Sequence, residues 1–147
     1  KYLIFPVIPK CLFTRQVTVS SDSDPFDGCY ERYASATALV KMVSTVDSSL
    51  TNGRQIFASL KRPEINEVIN KWIDEIVLGL ATLIHIFNPS CIVLGGGIMV
   101  QPYILERIHT RIPQMVMSSF THVQISNAKL GDSVGLMDAY HLATQKL

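Results

Sequence analysis

The longest regular pattern of apolar and polar positions runs from Pro63 to Phe87. Ile65, Ile69, Trp72, Ile76, Leu80, Leu83 and Phe87 recur at three- and four-residue spacing, and Val68, Ile73, Val77 and Ile84 widen the stripe. That period predicts a helix of about 24 residues, roughly 36 Å long, buried over much of its surface. Pro63 suits its first turn, and Glu64 and Glu67 stand where the helix dipole favours negative charge. Gly79 and Ala81 leave room for a neighbour to come close. Asn88-Pro89 ends it, because proline lacks an N–H and its ring clashes with the preceding turn.

The period then changes. Cys91–Leu94 is a short continuous apolar run with β-branched residues, which predicts a central strand covered on both faces, as in a parallel sheet. Gly95, Gly96 and Gly97 follow and remove every side chain where the strand leaves the sheet. Open α/β sheets bind ligands at the carboxyl ends of their strands, where bare backbone lets a ligand approach. A tight turn with no ligand is written the same way.

The remaining elements are shorter. Gln16–Ser20 reads as an edge strand, and residues 21–28, with three aspartates, a proline and a glycine, as a loop. Those acids lack the EF-hand spacing, and a solvated turn accounts for them. From Cys29 to about Val46 the pattern is helical, with Tyr33, Thr37, Val40 and Ser44 on one stripe and Tyr30, Ala34, Ala38 and Met42 on another. Arg54–Leu60 predicts a short helix with Ile56, Phe57 and Leu60 inward. Gln101-Pro102 opens a helix to about Ile112, with Ile104, Leu105 and Ile108 inward and Pro113 as its breaker. Gln114–Phe120 suits a further helical turn. His122–Ala128 alternates as a strand does, and residues 129–133 turn into a closing helix. Strands alternating with helices predict an α/β layer with a mostly parallel sheet. The strands are too few for a comfortable sheet alone, so a first half with more strands is expected.

Composition narrows the class. Thirteen basic and 12 acidic residues nearly cancel, and 48% of the 147 residues are apolar, which fits one globular domain and excludes a disordered tail or a strongly basic nucleic-acid binder. No apolar run approaches the roughly 20 residues that span a bilayer. The opening Lys1–Val7 lacks a signal-peptide pattern and suits an interior piece of a longer chain. Cys11, Cys29 and Cys91 form neither a disulfide framework nor a CxxC site, which suggests a reducing cytoplasm. His85, near the end of the long helix, has no partner spaced for catalysis and reads as a structural core or capping histidine.

Three segments in order carry a resemblance: Gly28-Cys29-Tyr30-Glu31-Arg32-Tyr33-Ala34-Ser35; Ile86-Phe87-Asn88-Pro89 running into Ile92-Val93-Leu94-Gly95-Gly96-Gly97; and Leu130-Gly131-Asp132-Ser133-Val134-Gly135-Leu136. From about Ser20 to its end the chain resembles the C-terminal half of the ROK family, bacterial sugar kinases and related sugar-responsive repressors. The resemblance implies the C-terminal lobe of an actin-like ATPase, a ribonuclease H-like α/β fold with a mixed sheet and packed helices. Residues 1–20 are then an irregular segment or edge strand from the interlobe region, and residues 21–147 the α/β domain. It implies that Gly95, Gly96 and Gly97 lie beside the adenosine of ATP, and that Glu31 accepts hydrogen bonds from sugar hydroxyls. A carboxylate suits vicinal hydroxyls because it offers several lone pairs. Taken by itself, Glu31 is also what the first turn of a helix favours.

The departures are specific. The family's zinc loop reads Cys-x-Cys-Gly-x-x-Gly-Cys after a histidine. Here Cys29 keeps the last cysteine, Asp22 and Asp24 replace the first two, and the histidine position near Leu12 is not histidine. Closed zinc sites favour thiolate and imidazole, so structural zinc is expected to be absent. The usual Glu-x-Gly-His segment is unrecognisable in residues 1–19, and Asp138 replaces a small residue. The family's Asp-x-Gly-x-Thr phosphate segment and catalytic aspartate belong to the other half. The resemblance therefore implies a parent that is an ATP- and Mg²⁺-dependent hexose or amino-hexose kinase, inactive as this fragment alone, or the effector domain of a repressor. A homo-oligomer is expected, with no membrane partner, and with nucleic acid only if a helix-turn-helix precedes this segment.

Overall fold

The computed structural model describes residues 2–5 and 29–128. In chain order the elements are β1 (Tyr2–Phe5), α1 (Glu31–Ala34), α2 (Ala36–Ser44), α3 (Gly53–Ala58), α4 (Pro63–Phe87), β2 (Cys91–Leu94), α5 (Pro102–Met115) and β3 (Gln124–Asn127). Two 3₁₀ turns, Gly97–Val100 and Ser118–Phe120, flank α5. The expectations for Gln16–Ser20, the acidic loop and residues 129–147 lie outside the described residues.

The long amphipathic pattern becomes α4, 25 residues with Pro63 in its first turn. Asn88 ends it in the left-handed region, φ 41°, and donates its N–H to the Ile84 carbonyl at 2.9 Å. Asparagine tolerates that conformation better than other side chains, and the buried Pro89 after it forbids another turn. Along the stripe Ile65, Ile69, Trp72, Ile73, Ile76, Val77, Leu80, Leu83 and Ile84 are buried. At about 1.5–3 kcal/mol for each large side chain removed from water, this face is the main apolar contribution to the core. The stripe runs out at the last turn, where Ile86 and Phe87 are exposed.

Among the described residues β2 is the middle of a three-stranded sheet of order β1-β2-β3, with both pairs parallel. Tyr2 pairs with Cys91 and Phe5 with Leu94 on one side, and Cys91 pairs with Gln124 and Leu94 with Asn127 on the other. Ile92, Leu94 and Ile125 are buried with Ile104, Ile108 and Ile112 of α5 in one core. Cys91 and Val93, on the opposite face of β2, are half-buried.

Two helix boundaries differ from the sequence expectation. The single helix over 29–46 is broken at Ser35, whose ψ of 162° is extended. Ser35 instead caps α2, its hydroxyl accepting the Ala38 N–H at 3.1 Å. Serine side chains compete for backbone donors in this way, and here the cap wins over continuation. Pro113 does not break α5, which runs on to Met115. Near the end of the helix its missing N–H costs one hydrogen bond, and the Val116 N–H still closes onto the Ile112 carbonyl at 3.1 Å.

Candidate functional site

The glycine run leaves β2 as open backbone. Gly96 has φ 113°, a conformation that side chains rarely adopt, and a Cβ built on it would meet no atom within 4 Å. Gly96 and Gly97 are exposed and Gly95 is half-buried. Space and strain therefore act separately here: a side chain would fit, but the backbone would resist it. The following 3₁₀ turn is steadied by Ile98, whose side chain lies where a Cβ on Gly53 would come within 3.2 Å of it. Beside the turn, Asn127 ends β3 opposite Leu94, and its Oδ1 is buried with no hydrogen-bond partner among the described residues.

A polar seam fixes α5, and with it the far side of the turn. The Nδ2 groups of Asn66 and Asn70 donate to the Tyr103 hydroxyl at 3.1 and 3.0 Å. Arg111 donates to the Asn70 carbonyl at 2.9 Å and pairs with Asp74 at 2.8 Å, and it also bonds the Asn70 side chain. The Arg107 guanidinium stacks 4.9 Å from the centre of the Tyr103 ring, though its Nε is buried without an acceptor among the described residues. Burial alone would raise the Tyr103 phenol, but hydrogen bonds from Asn70 and Asn66 and the nearby Arg107 charge outweigh it and lower it.

Glu31 is the first residue of α1 and is half-buried. The residue before it, Tyr30, is buried and donates its hydroxyl to the Glu75 carbonyl at 2.9 Å. At the other end of α1, the Ser35 carbonyl accepts the Trp72 Nε1–H at 3.0 Å. Gly79 does admit a close neighbour, the Tyr30 ring. With about 100° per residue, Asn66, Asn70 and Asp74 fall on one flank of α4, and Trp72, Glu75 and Gly79 about half a turn away. The glycine turn and Glu31 are thus both braced by α4, on different flanks.

The other candidates have structural surroundings. His85 is exposed rather than in the core. Its Nε2 accepts the Met117 N–H at 3.4 Å and its ring stands edge-on to Phe120 at 5.0 Å, so it ties α4 to the second 3₁₀ turn. Cys29 is buried, while Leu12, Asp22 and Asp24 lie outside the described residues. Among the described residues no group of three potential metal ligands occurs, and no helix is long and apolar enough to cross a membrane. Sequence reasoning missed Tyr103 and Asn127, and placed Tyr30 on a stripe without its partner. The one available signal was Gly79, a helix glycine that needed an occupant.

An α/β lobe with a parallel sheet, a bare glycine turn at its carboxyl end and a long bracing helix matches solved structures. A ROK family glucokinase from Streptomyces griseus, in complex with glucose and AMPPNP, superposes with a TM-score of 0.71 at 25% identity, over 81% of this chain and 45% of that one. A ROK hexokinase from Thermus thermophilus gives 0.68 at 22% identity, covering 81% and 42%. The fold is accordingly the C-terminal α/β lobe of an actin-like ATPase. Residues 23–146 match the ROK family, and the chain belongs to it. An uncharacterized protein of Clostridium perfringens is 30% identical over 115 residues, covering 74% of this chain and 39% of that protein. An N-acetyl-D-glucosamine kinase of Yersinia enterocolitica is 25% identical over 122 residues, covering 82% and 40%. The chain thus spans about two fifths of the length of these curated relatives.

Proposed function

We propose that residues 21–147 form the C-terminal lobe of an ATP-dependent sugar kinase. In this proposal Glu31 accepts hydrogen bonds from sugar hydroxyls, and Gly95, Gly96 and Gly97 let the adenosine lie against the turn. The observation that carries it is the open space beside Gly96, where a Cβ would meet no atom within 4 Å. The Glu31 carboxylate, half-buried at the start of α1, supports the sugar contact. Relatives named N-acetyl-D-glucosamine kinase and glucokinase support a hexose or amino-hexose substrate. Mg²⁺ would bridge the phosphates, as phosphoryl transfer requires. No Asp-x-Gly-x-Thr segment occurs in the 147 residues. In this proposal the phosphate cradle and the base belong to the kinase's other lobe.

Calorimetric titration of the intact protein with N-acetylglucosamine, glucose and AMPPNP tests the proposal. Glu31→Gln should weaken sugar binding about ten- to a hundredfold, the worth of a charge-assisted hydrogen bond, and leave nucleotide binding unchanged. Gly96→Val should do the reverse. Sugar binding without nucleotide binding would instead place the protein with the repressors of the family. No binding of either ligand would leave a lobe kept for assembly and sink the kinase proposal.

A further inference from the structure

Glu31 belongs to a helix of only four residues, and so short a helix does not hold itself in water. Its two ends are fixed from outside, both times by α4. One residue before Glu31, the buried Tyr30 lays its ring against Gly79 and gives its hydroxyl proton to the Glu75 carbonyl at 2.9 Å, with the Ile76 carbonyl 3.3 Å away. One residue after α1, the Ser35 carbonyl takes the proton of the buried Trp72 indole at 3.0 Å. Ser35 also turns its hydroxyl onward to cap α2. The candidate sugar carboxylate therefore sits on one turn of backbone strung between two hydrogen bonds to a single 25-residue helix.

Gly79 is part of the fitting. A Cβ there would stand 2.8 Å from Tyr30 Cε2 and closer still to the hydroxyl, so only glycine leaves the ring its seat. Burial pushes the phenol well above its ordinary value, and the nearby Glu75 charge pushes the same way. Tyr30 stays protonated, and so remains a donor, at any pH where the protein would be assayed.

We infer that Tyr30, seated in the Gly79 notch and tied to the Glu75 carbonyl, is a positioning residue that sets where the Glu31 carboxylate meets its ligand. This rests on the proposal that Glu31 contacts a sugar. It adds that affinity at that carboxylate is set from the interior of the lobe, by a group that touches no substrate. Hydrogen bonds weaken steeply outside a narrow range of distance and angle, so a small drift of α1 acts on sugar and leaves the nucleotide alone.

A double-mutant cycle in the intact protein tests this, with sugar KM, ATP KM, kcat and melting temperature as readouts. Tyr30→Phe keeps the ring and deletes the hydroxyl. It should raise sugar KM about three- to tenfold, the size of one net hydrogen bond, with ATP KM unchanged. In a Glu31→Gln background the same substitution should leave sugar KM where it was. Gly79→Ala, which displaces the ring and spares the hydroxyl, should reproduce the sugar-specific rise; if it does not fold, the Tyr30→Phe cycle decides alone. Equal rises in sugar and ATP KM, or the same factor in both backgrounds, would make Tyr30 merely structural and overturn the inference. If Glu31→Gln itself leaves sugar binding intact, the sugar-site proposal fails first, and this result is distinct from the others.

Discussion

On the flank of α4 that faces α1 and α2, the contacts are buried and aromatic. Trp72 and Tyr30 each have a single proton to give, and each gives it to a backbone carbonyl. On the flank that faces α5, Asn66, Asn70, Asp74, Tyr103 and Arg111 share overlapping hydrogen bonds and stay partly in water. The aromatic flank has precision without reserve: each buried ring has a single donor, and a lost ring leaves a hole. The polar flank has reserve without burial, since water or a neighbouring amide can take over most of what any member does. The same helix thus holds the Glu31 segment and the glycine turn by different physics, and the two should fail differently.

The sharpest way to break the comparison is Trp72→Ala. Trp72 is fully buried, so its truncation should cost about 3–5 kcal/mol in a urea titration, from lost transfer energy and the cavity together. A cost near 1 kcal/mol would mean that the flank collapses to fill the space, and the contrast would be gone. Tyr103→Phe is the matching change on the other flank. It removes the hydroxyl that Asn66 and Asn70 share, yet those amides keep their own hydrogen bond at 2.7 Å. The loss should stay within about 1 kcal/mol. A larger value would show that the seam is not redundant.

The smallest effect belongs to the exposed start of α4. Asp47 accepts hydrogen bonds from the Ser49 hydroxyl, at 2.6 Å, and from Arg62, at 2.5 Å. These bonds, that from the Ser49 side chain foremost, lower its carboxyl from 3.8 to about 2. A depressed value in the folded state means that the unfolded chain binds the proton first as pH falls. The contribution of Asp47 is complete above the ordinary carboxylate range and fades as pH drops toward about 2. Asp47→Asn should flatten that part of the curve of urea midpoint against pH. An identical acid limb in both proteins would show that the pair does not act in solution.

Much of the scaffold was legible in the sequence because it is written in period. The stripe from Ile65 to Ile84 and the run Cys91–Leu94 gave their elements closely, since three- to four-residue spacing and a continuous β-branched run have few other solutions. The break at Ser35 was not legible: a serine caps one helix or rides inside another with the same neighbours, and packing against Trp72 decides which. The seam was hidden for a related reason. Asn66, Asn70 and Asp74 have the spacing of any solvated face, and only α5, brought alongside by the fold, turns them inward to Tyr103 and Arg111. Of the candidate site, Glu31 and the glycines were visible as residue types. What holds Glu31 was not, since Tyr30 reaches α4 across 45 positions of chain.

The sheet has a consequence for how the molecule comes to be. Its register sets residue 2 beside residue 91, whereas only the short segment that carries β2 and a 3₁₀ turn separates α4 from α5, and the two helices pack together. Closing a loop of that length is entropically late work, while the helical pair can assemble from local encounters. Among the described strand pairs, β1–β2 therefore carries the larger entropic cost of formation. Without β1, that edge of β2 is an open row of backbone donors and acceptors, which is where a wrong pairing would start.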